Sequence, residues 1–520
     1  MHKGFSTDKN FALESDASDE LSIFKAQFHF PQKDGKEVIY FCGNSLGLQP
    51  IQAEQAIQTE LKSWRELAIG GYFGGMNPWL NYHDTLRLPL SKIVGCKEAE
   101  VTVMNTLTVN LHLLLLSFYH PTKDRYKILM EAGAFPSDQY AVETIVKHFG
   151  FDPSNTIIEI EPKEGEKILQ TQDIIDVIEN HGESLALILF GGINYYTGQL
   201  FDIKRITESA HKVKAIAGFD LAHVVGNVPL QLHDWKVDFA VWCSYKYLNA
   251  GPGSVGGVYI NEYFSNDVRT PRLGGWWGND EKTRFKMEKG FIPKTNASGW
   301  NISTTQVFNT VCLKASLEMF DKAGIEQLRN KSIRLTAYLE FLLLQLSHLN
   351  FEIITPADYE SRGAQLSLFF KDRGKEIYTK MMEFPSNLKT PLVIFSVIIF
   401  TSFFINGCSI IEKKDPEQEL KNKAGRINDL IIYKRYDDLF AVMSESFKLK
   451  LSQQLFNSVD STIKSMLGRY VKPIDTTISV INGVALLTVR NQYQQGITTT
   501  SVQFDDEGKI LHLYTVPTRN

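Results

Sequence analysis

Across the first 380 residues, continuous apolar runs alternate with amphipathic stretches, and that alternation leaves few folds open. The runs at 126–130, 185–190 and 215–219 are dominated by aliphatic residues, whereas 138–149 and 203–213 repeat their apolar residues at helical spacing. Strands that are apolar on both faces must be covered on both faces. The pattern therefore predicts an α/β fold with a parallel or mixed sheet between layers of helices. Ligands of such sheets bind at the carboxyl ends of the strands. The run at 215–219 ends directly before Asp220, which delivers a carboxylate to that edge.

Two motifs give the edge a chemistry. Asp220 opens Asp220-Leu221-Ala222-His223, and Lys246 follows in Ser244-Tyr245-Lys246, ahead of the turn Asn249-Ala250-Gly251-Pro252-Gly253. A lysine among aromatic and small residues suits Schiff-base attachment of pyridoxal 5'-phosphate (PLP). An upstream carboxylate suits its pyridine nitrogen, which it keeps protonated so that the ring accepts electrons. Taken singly, Lys246 would read as a solvated surface charge and Asp220 as a buried strand end. The two motifs in this order favour the cofactor.

The wording around these motifs resembles kynureninase, a family of fold-type I PLP enzymes. The resemblance is carried by 41–50 (Phe-Cys-Gly-Asn-Ser-Leu-Gly-Leu-Gln-Pro), 134–138 (Ala-Phe-Pro-Ser-Asp), 195–199 (Tyr-Tyr-Thr-Gly-Gln), 218–223, 242–253 and 284–287 (Arg-Phe-Lys-Met), over about residues 20–380. It implies hydrolysis of L-kynurenine, or 3-hydroxykynurenine, to anthranilate, or 3-hydroxyanthranilate, and L-alanine. That step belongs to tryptophan catabolism and the kynurenine pathway toward NAD. The resemblance also implies site roles. Lys246 is the catalytic lysine, Asp220 faces the ring nitrogen, and His223 and Tyr245 contact the phosphate. Phe135 stacks on the ring and Asp138 lies near its pyridine side. Leu107 and Thr108 open a helix whose amides meet the phosphate. Trp276 reaches the phosphate of a neighbouring subunit, which makes the enzyme a homodimer with its site at the interface.

Three positions depart from the family's wording. Tyr72 stands in the Gly-rich turn before Pro78-Trp79 where a histidine is expected, and Thr304 replaces an asparagine after Gly299-Trp300. Both family residues contact the aromatic end of the substrate, and the one at Thr304 also borders the cofactor. Past Lys380 the family continues with an arm containing an Arg-x-Ala-Pro-x-Pro-Leu-Tyr type motif, whose arginine binds the substrate carboxylate. Nothing like it follows here. A bidentate arginine is not easily replaced, so PLP binding is expected to survive better than turnover.

The remaining chain reads differently. Residues 1–380 form the PLP domain, 381–411 a lipoprotein-signal or membrane-type segment, 412–425 a charged linker and 426–520 a small α+β domain. The segment 390–411 carries no charge and is long enough to span a bilayer. It ends in Phe404-Ile405-Asn406-Gly407-Cys408, which resembles a bacterial lipobox with Cys408 at the lipidated position, and Met381 or Met382 would begin such a signal. A helical pattern from 427 to about 467 precedes β-like runs at 476–481, 484–489, 497–504 and 510–514. That layout resembles cystatin-like or nuclear-transport-factor-like folds, and the junction reads as a fusion of two neighbouring genes. Lys380 and Lys389 ahead of the span favour a cytoplasmic PLP domain and an exported C-terminal part. An inactive PLP-binding remnant on a membrane-anchored binding domain is the competing function. The net charge of -4 and the absence of a long basic run argue against a nucleic-acid partner. Cys42, Cys96, Cys243, Cys312 and Cys408 are scattered and odd in number, which argues against a disulfide framework, and no spacing suits a metal.

Overall fold

The apolar runs become neighbouring strands. In a computed structural model of the protein, the described residues are 4–372, 374 and 376–378, with strand segments at 470–481, 484–493, 496–504 and 510–519. The chain divides into two units, Met1–Ser402 and Phe403–Asn520. The first is built on seven strands: β1 (Val101–Met104), β2 (Lys127–Glu131), β3 (Ile157–Ile160), β4 (Leu185–Gly191), β5 (Ile216–Asp220), β6 (Phe239–Trp242) and β7 (Gly256–Ile260). Their order across the sheet is β1-β7-β6-β5-β4-β2-β3. Strand β7 runs antiparallel to both neighbours, and the other pairs are parallel. The sheet is therefore mixed. The link from β6 to β7 carries no helix and turns back through Asn249, Gly251 and Gly253, all at positive φ, so β7 returns beside β6 in the opposite sense.

Successive side chains along each strand enter different cores, as the pleat requires. Leu129, Ile188, Phe190, Ala217, Phe219, Ala240 and Trp242 belong to one. Ile128, Met130, Leu187, Leu189, Phe239 and Val241 belong to the other. The helices divide accordingly: α1 (Ile51–Leu67), α2 (Leu107–Phe118), α3 (Pro136–His148), α4 (Thr171–Asn180), α5 (Ile203–Lys212), α6 (Val307–Ala323) and α7 (Ile325–Leu344). Helices α2 and α3 pack Leu111, Leu114, Ala141 and Val142 into the second core. Helices α4, α5 and α6 pack Ile174, Ile206 and Val311 into the first. Each fully buried aliphatic contributes roughly 1.5–3 kcal/mol, so the site rests on a rigid slab.

Beyond α7 lies a short antiparallel pair, β8 (Phe351–Ile353) and β9 (Leu368–Phe370), packed through Leu343, Leu366 and Leu368. In the second unit β10 (Tyr470–Ile481), β11 (Val484–Tyr493), β12 (Gly496–Phe504) and β13 (Ile510–Arg519) form an antiparallel sheet in sequence order. These strands fall on the four apolar runs of that region. The apolar segment 390–411 with Cys408, the linker 412–425 and the helical pattern 427–467 lie outside the described residues. Among the described residues no helix is long and apolar enough to cross a membrane.

Candidate active site

The carboxyl ends of the parallel strands deliver the polar groups. Strand β5 ends at Asp220, β2 ends at Glu131, and β6 runs on into Ser244, Tyr245 and Lys246. Lys246 Nζ donates to His223 Nε2 at 2.8 Å and lies 5.8 Å from the centre of the Phe135 ring. Burial, helped by the Lys246 charge, pushes His223 down to about 3. The imidazole is thus neutral and its Nε2 accepts. Phe135 is about half exposed and meets Tyr195 edge-on at 5.3 Å. One face of the ring is therefore free to stack.

Asp220 and Asp138 are both buried and hydrogen-bonded to each other. Asp220 Oδ1 accepts from the Ala222 amide at 2.8 Å. Burial raises both carboxyls above their ordinary range. Asp138 is raised further by the neighbouring Asp220 charge, whereas Lys246 and the bond from Asp138 draw Asp220 back down. Asp138 is therefore the better proton holder of the pair and Asp220 the better carboxylate. An anionic Asp220 facing Lys246 is the arrangement a protonated ring nitrogen needs.

At the head of α2, Thr106 gives no side-chain cap. The preceding turn is held instead by Asn110, whose Nδ2 donates to Met104 O at 2.8 Å while its Oδ1 accepts from Asn105 at 3.0 Å. The first-turn amides at Leu107 and Thr108 have no helical acceptor, which makes them an anion site. The 41–50 stretch packs directly on the lysine segment. The Gly47 amide donates to Tyr245 O at 2.8 Å and Asn249 Nδ2 donates to Leu48 O at 3.1 Å. A Cβ on Gly47 would lie 2.4 Å from Lys246 O, so no other residue fits there.

The structure thus brings Lys246, His223, Asp220, Asp138 and Phe135 together, with Tyr245 in the same loop. Trp276 is about half exposed; its indole donates to Arg284 O and packs on Trp277 and Phe285. Tyr72 packs on Trp79 and Trp277. Thr304 is exposed, next to Thr305, whose hydroxyl meets His83 Nδ1 at 3.0 Å. Tyr72 and Trp276 meet on Trp277, and among the described residues none of the three shares a hydrogen bond or ring contact with Lys246. A further acid escaped the sequence reading. Glu131 is buried, and burial, reinforced by the Asp220 charge and opposed by hydrogen bonds from Gly191 and Asn194, pushes it up to about 8. It ends the run at 126–130 just as Asp220 ends the run at 215–219, which was the available signal.

The residues fit PLP. Buried His223 Nδ1, Ser244 Oγ and Asp138 Oδ1 have no protein partner. His223 Nδ1, Ser244 Oγ and the α2 amides supply anion donors, Asp138 Oδ1 an acceptor, the open Phe135 face a stacking surface and Lys246 an amine.

Comparisons agree. Residues 49–382 match the aminotransferase class-V family. The kynureninase of Flavobacterium psychrophilum is 50% identical over 382 residues, covering 73% of this chain and 90% of that protein. That of Koribacter versatilis is 48% identical over 380 residues with the same coverage, and that of Nematostella vectensis 44% identical, covering 74% of this chain and 88% of that protein. Among solved structures, the Escherichia coli cysteine desulfurase CsdA superposes with a TM-score of 0.56 at 17% identity, covering 70% of this chain and 86% of that one. At that identity the likeness speaks for the fold alone. The chain belongs to the aminotransferase class-V family and, within it, to the kynureninases.

Proposed function

We propose that the chain is a PLP-dependent hydrolase that cleaves L-kynurenine, or its 3-hydroxy form, to anthranilate, or 3-hydroxyanthranilate, and L-alanine. The observation that carries this reading is the meeting of Lys246, His223, Asp220, Asp138 and Phe135 at the strand ends, in a chain about half identical to kynureninases. When bound, PLP supplies the electron sink for chemistry at the substrate's α-carbon.

The chain's own residues do the rest. Asp220 would hold the ring nitrogen protonated, while Asp138 donates to Asp220 and holds that carboxylate in place. Lys246 Nζ is within reach of the site and moves the α-proton. Neutral His223 accepts a hydrogen bond from that amine and orients it. The α2 amides would hold the phosphate. Water adds its oxygen to the side-chain ketone carbon, the Cβ–Cγ bond breaks with its electron pair on Cβ to leave the anthranilate carboxylate, and a proton originating from that water completes L-alanine at Cβ. Tyr72 and Thr304 tune the choice between the two kynurenines.

The substrate carboxylate is the weak point. Among the described residues of the small-domain segment, Arg329 donates to Tyr359 O and Arg362 O, and Arg362 donates to Pro356 O and pairs with Glu340. Arg329 and Arg362 each spend guanidinium donors within the protein itself, which supports a turnover that trails cofactor binding. The exposed Trp276, Phe285, Phe291 and Ile292 support a homodimer that presents Trp276 to the neighbouring subunit's phosphate site. Sedimentation of the wild-type protein as a monomer would refute that part. The cofactor assignment is tested by borohydride reduction of the PLP-loaded protein and peptide mapping. Label on Lys246 is expected; no label, or label on another lysine, refutes the reading.

A further inference from the structure

Glu131 ends β2, separated from Asp220 at the end of β5 by the end of β4. Its Oε2 accepts from the Gly191 amide at 3.1 Å and its Oε1 from Asn194 Nδ2 at 3.4 Å. Gly191 lies at the end of β4, in register with Asp220 on β5. A Cβ on Gly191 would stand 3.0 Å from Glu131 Oε1, so glycine leaves room for the acid. Asn194 in turn accepts from the Tyr196 and Thr197 amides at 3.0 and 2.9 Å, and this fixes the turn that presses Tyr195 against Phe135. Tyr195 O accepts from Gln365 Nε2 at 2.9 Å, and Gln365 Oε1 accepts from Asn44. One buried carboxyl thus ties two strand ends to the walls around the ring.

We propose that Glu131 is a positioning residue of the cofactor site, which fixes the Asn194 turn and, as third carboxyl beside Asp138 and Asp220, sets how much negative charge the ring nitrogen meets. This rests on the PLP reading above. The groups facing the cluster are Asp138 from α3, Asp220 from β5, Tyr195 from the turn after β4, and Lys246, with His223 and Cys243 beside it. Lys246 is the cation among them, since His223 is neutral. One ammonium balances one carboxylate, and Asp220 is the one with a backbone donor and the lysine. The unpartnered Oδ1 of Asp138 agrees with a carboxyl held as the acid. Glu131 then carries its proton at neutral pH and becomes a second anion only in alkaline solution. Among the described residues no group of three or more His, Cys, Asp or Glu side chains is placed to hold a metal ion.

The test is a pH titration of the absorbance of PLP bound to full-length protein, for wild type and Glu131→Gln. Groups that interact by about 1 pK unit or more titrate in broadened, coupled steps. The wild-type curve is expected to spread beyond a single proton and the Glu131→Gln curve to be narrower, with the step on the alkaline side removed. Superimposed curves would overturn the inference. No Lys246-bound absorbance in wild type would overturn the PLP reading and the inference with it. If Glu131→Gln does not fold, infrared spectra of the wild-type PLP-free protein decide. With carbon-13-labelled glutamate, a protonated-carboxyl band that shifts on labelling and fades as the pH passes about 8 is expected. Its absence at neutral pH would overturn the inference.

Discussion

Removing the titratable group from Glu131 should change how stability depends on pH, and the sign and size follow from its surroundings. Its carboxyl moves from 4.5 to about 8 on folding. The folded chain therefore keeps a proton that the unfolded chain releases. Glu131's contribution is complete below about pH 4.5 and is lost as the pH rises through about 8. Two histidines act in the opposite sense at lower pH. Buried His83 and His223 are pushed down to about 4 and 3, so their contribution is present above about 6.5 and fades as the pH falls. The clear window is 6.5 to 8. Across it, one and a half units at about 1.36 kcal/mol each give a fall of ~2 kcal/mol from Glu131 alone. Domains of ordinary stability have only ~5–15 kcal/mol in total. Urea unfolding of the PLP-free full chain at pH 6.5, 7, 7.5 and 8 measures it. His211, whose pKa is also raised by its bond to Asp238, remains in both proteins and cancels in the comparison, whereas Asp138 and Asp220 feel Glu131, so the difference reads Glu131 together with its effect on them. Wild type should lose ~2 kcal/mol more than Glu131→Gln over the window. Parallel curves would refute the argument that Glu131 is a protonated acid in the fold.

Other substitutions probe the frame of the site. Gly47→Ala places a methyl 2.4 Å from Lys246 O; it should cost ~1–3 kcal/mol by overpacking and weaken PLP retention, read by thermal melts and by dialysis against a thiol amine. Arg362→Met strands Glu340, its partner at 2.9 Å, and should destabilise by ~3–5 kcal/mol in urea, whereas the paired change with Glu340→Leu should recover most of that loss. Glu60 on α1 is fully buried and accepts from Trp79 Nε1 at 2.7 Å and Asn77 at 2.8 Å. Glu60→Ala should loosen the turn that carries Tyr72, costing ~1–3 kcal/mol and raising KM for kynurenine more than it lowers kcat.

Much of this site was legible before any coordinates. The run at 215–219 placed Asp220 at a strand end because a parallel sheet has one ligand edge, and Lys246 and His223 follow on the same edge. The same rule points to Glu131, yet its partners Gly191 and Asn194 lie sixty residues onward, and no local pattern announces them. The reversal of β7 was also hidden, since it depends on backbone turns at Asn249, Gly251 and Gly253 rather than on apolar periodicity. Trp276 and Thr304 rest on the resemblance alone: Trp276 packs on Trp277 and Phe285 and Thr304 is exposed, and no apolar periodicity announces either.

The most direct measurement is anthranilate fluorescence after L-kynurenine is added to PLP-loaded full-length protein, with Lys246→Ala beside it. Product that appears with wild type and vanishes with Lys246→Ala is the predicted result. A protein that holds PLP on Lys246 yet releases no anthranilate, or a Lys246→Ala variant that releases as much as wild type, would contradict a kynurenine hydrolase working through this lysine.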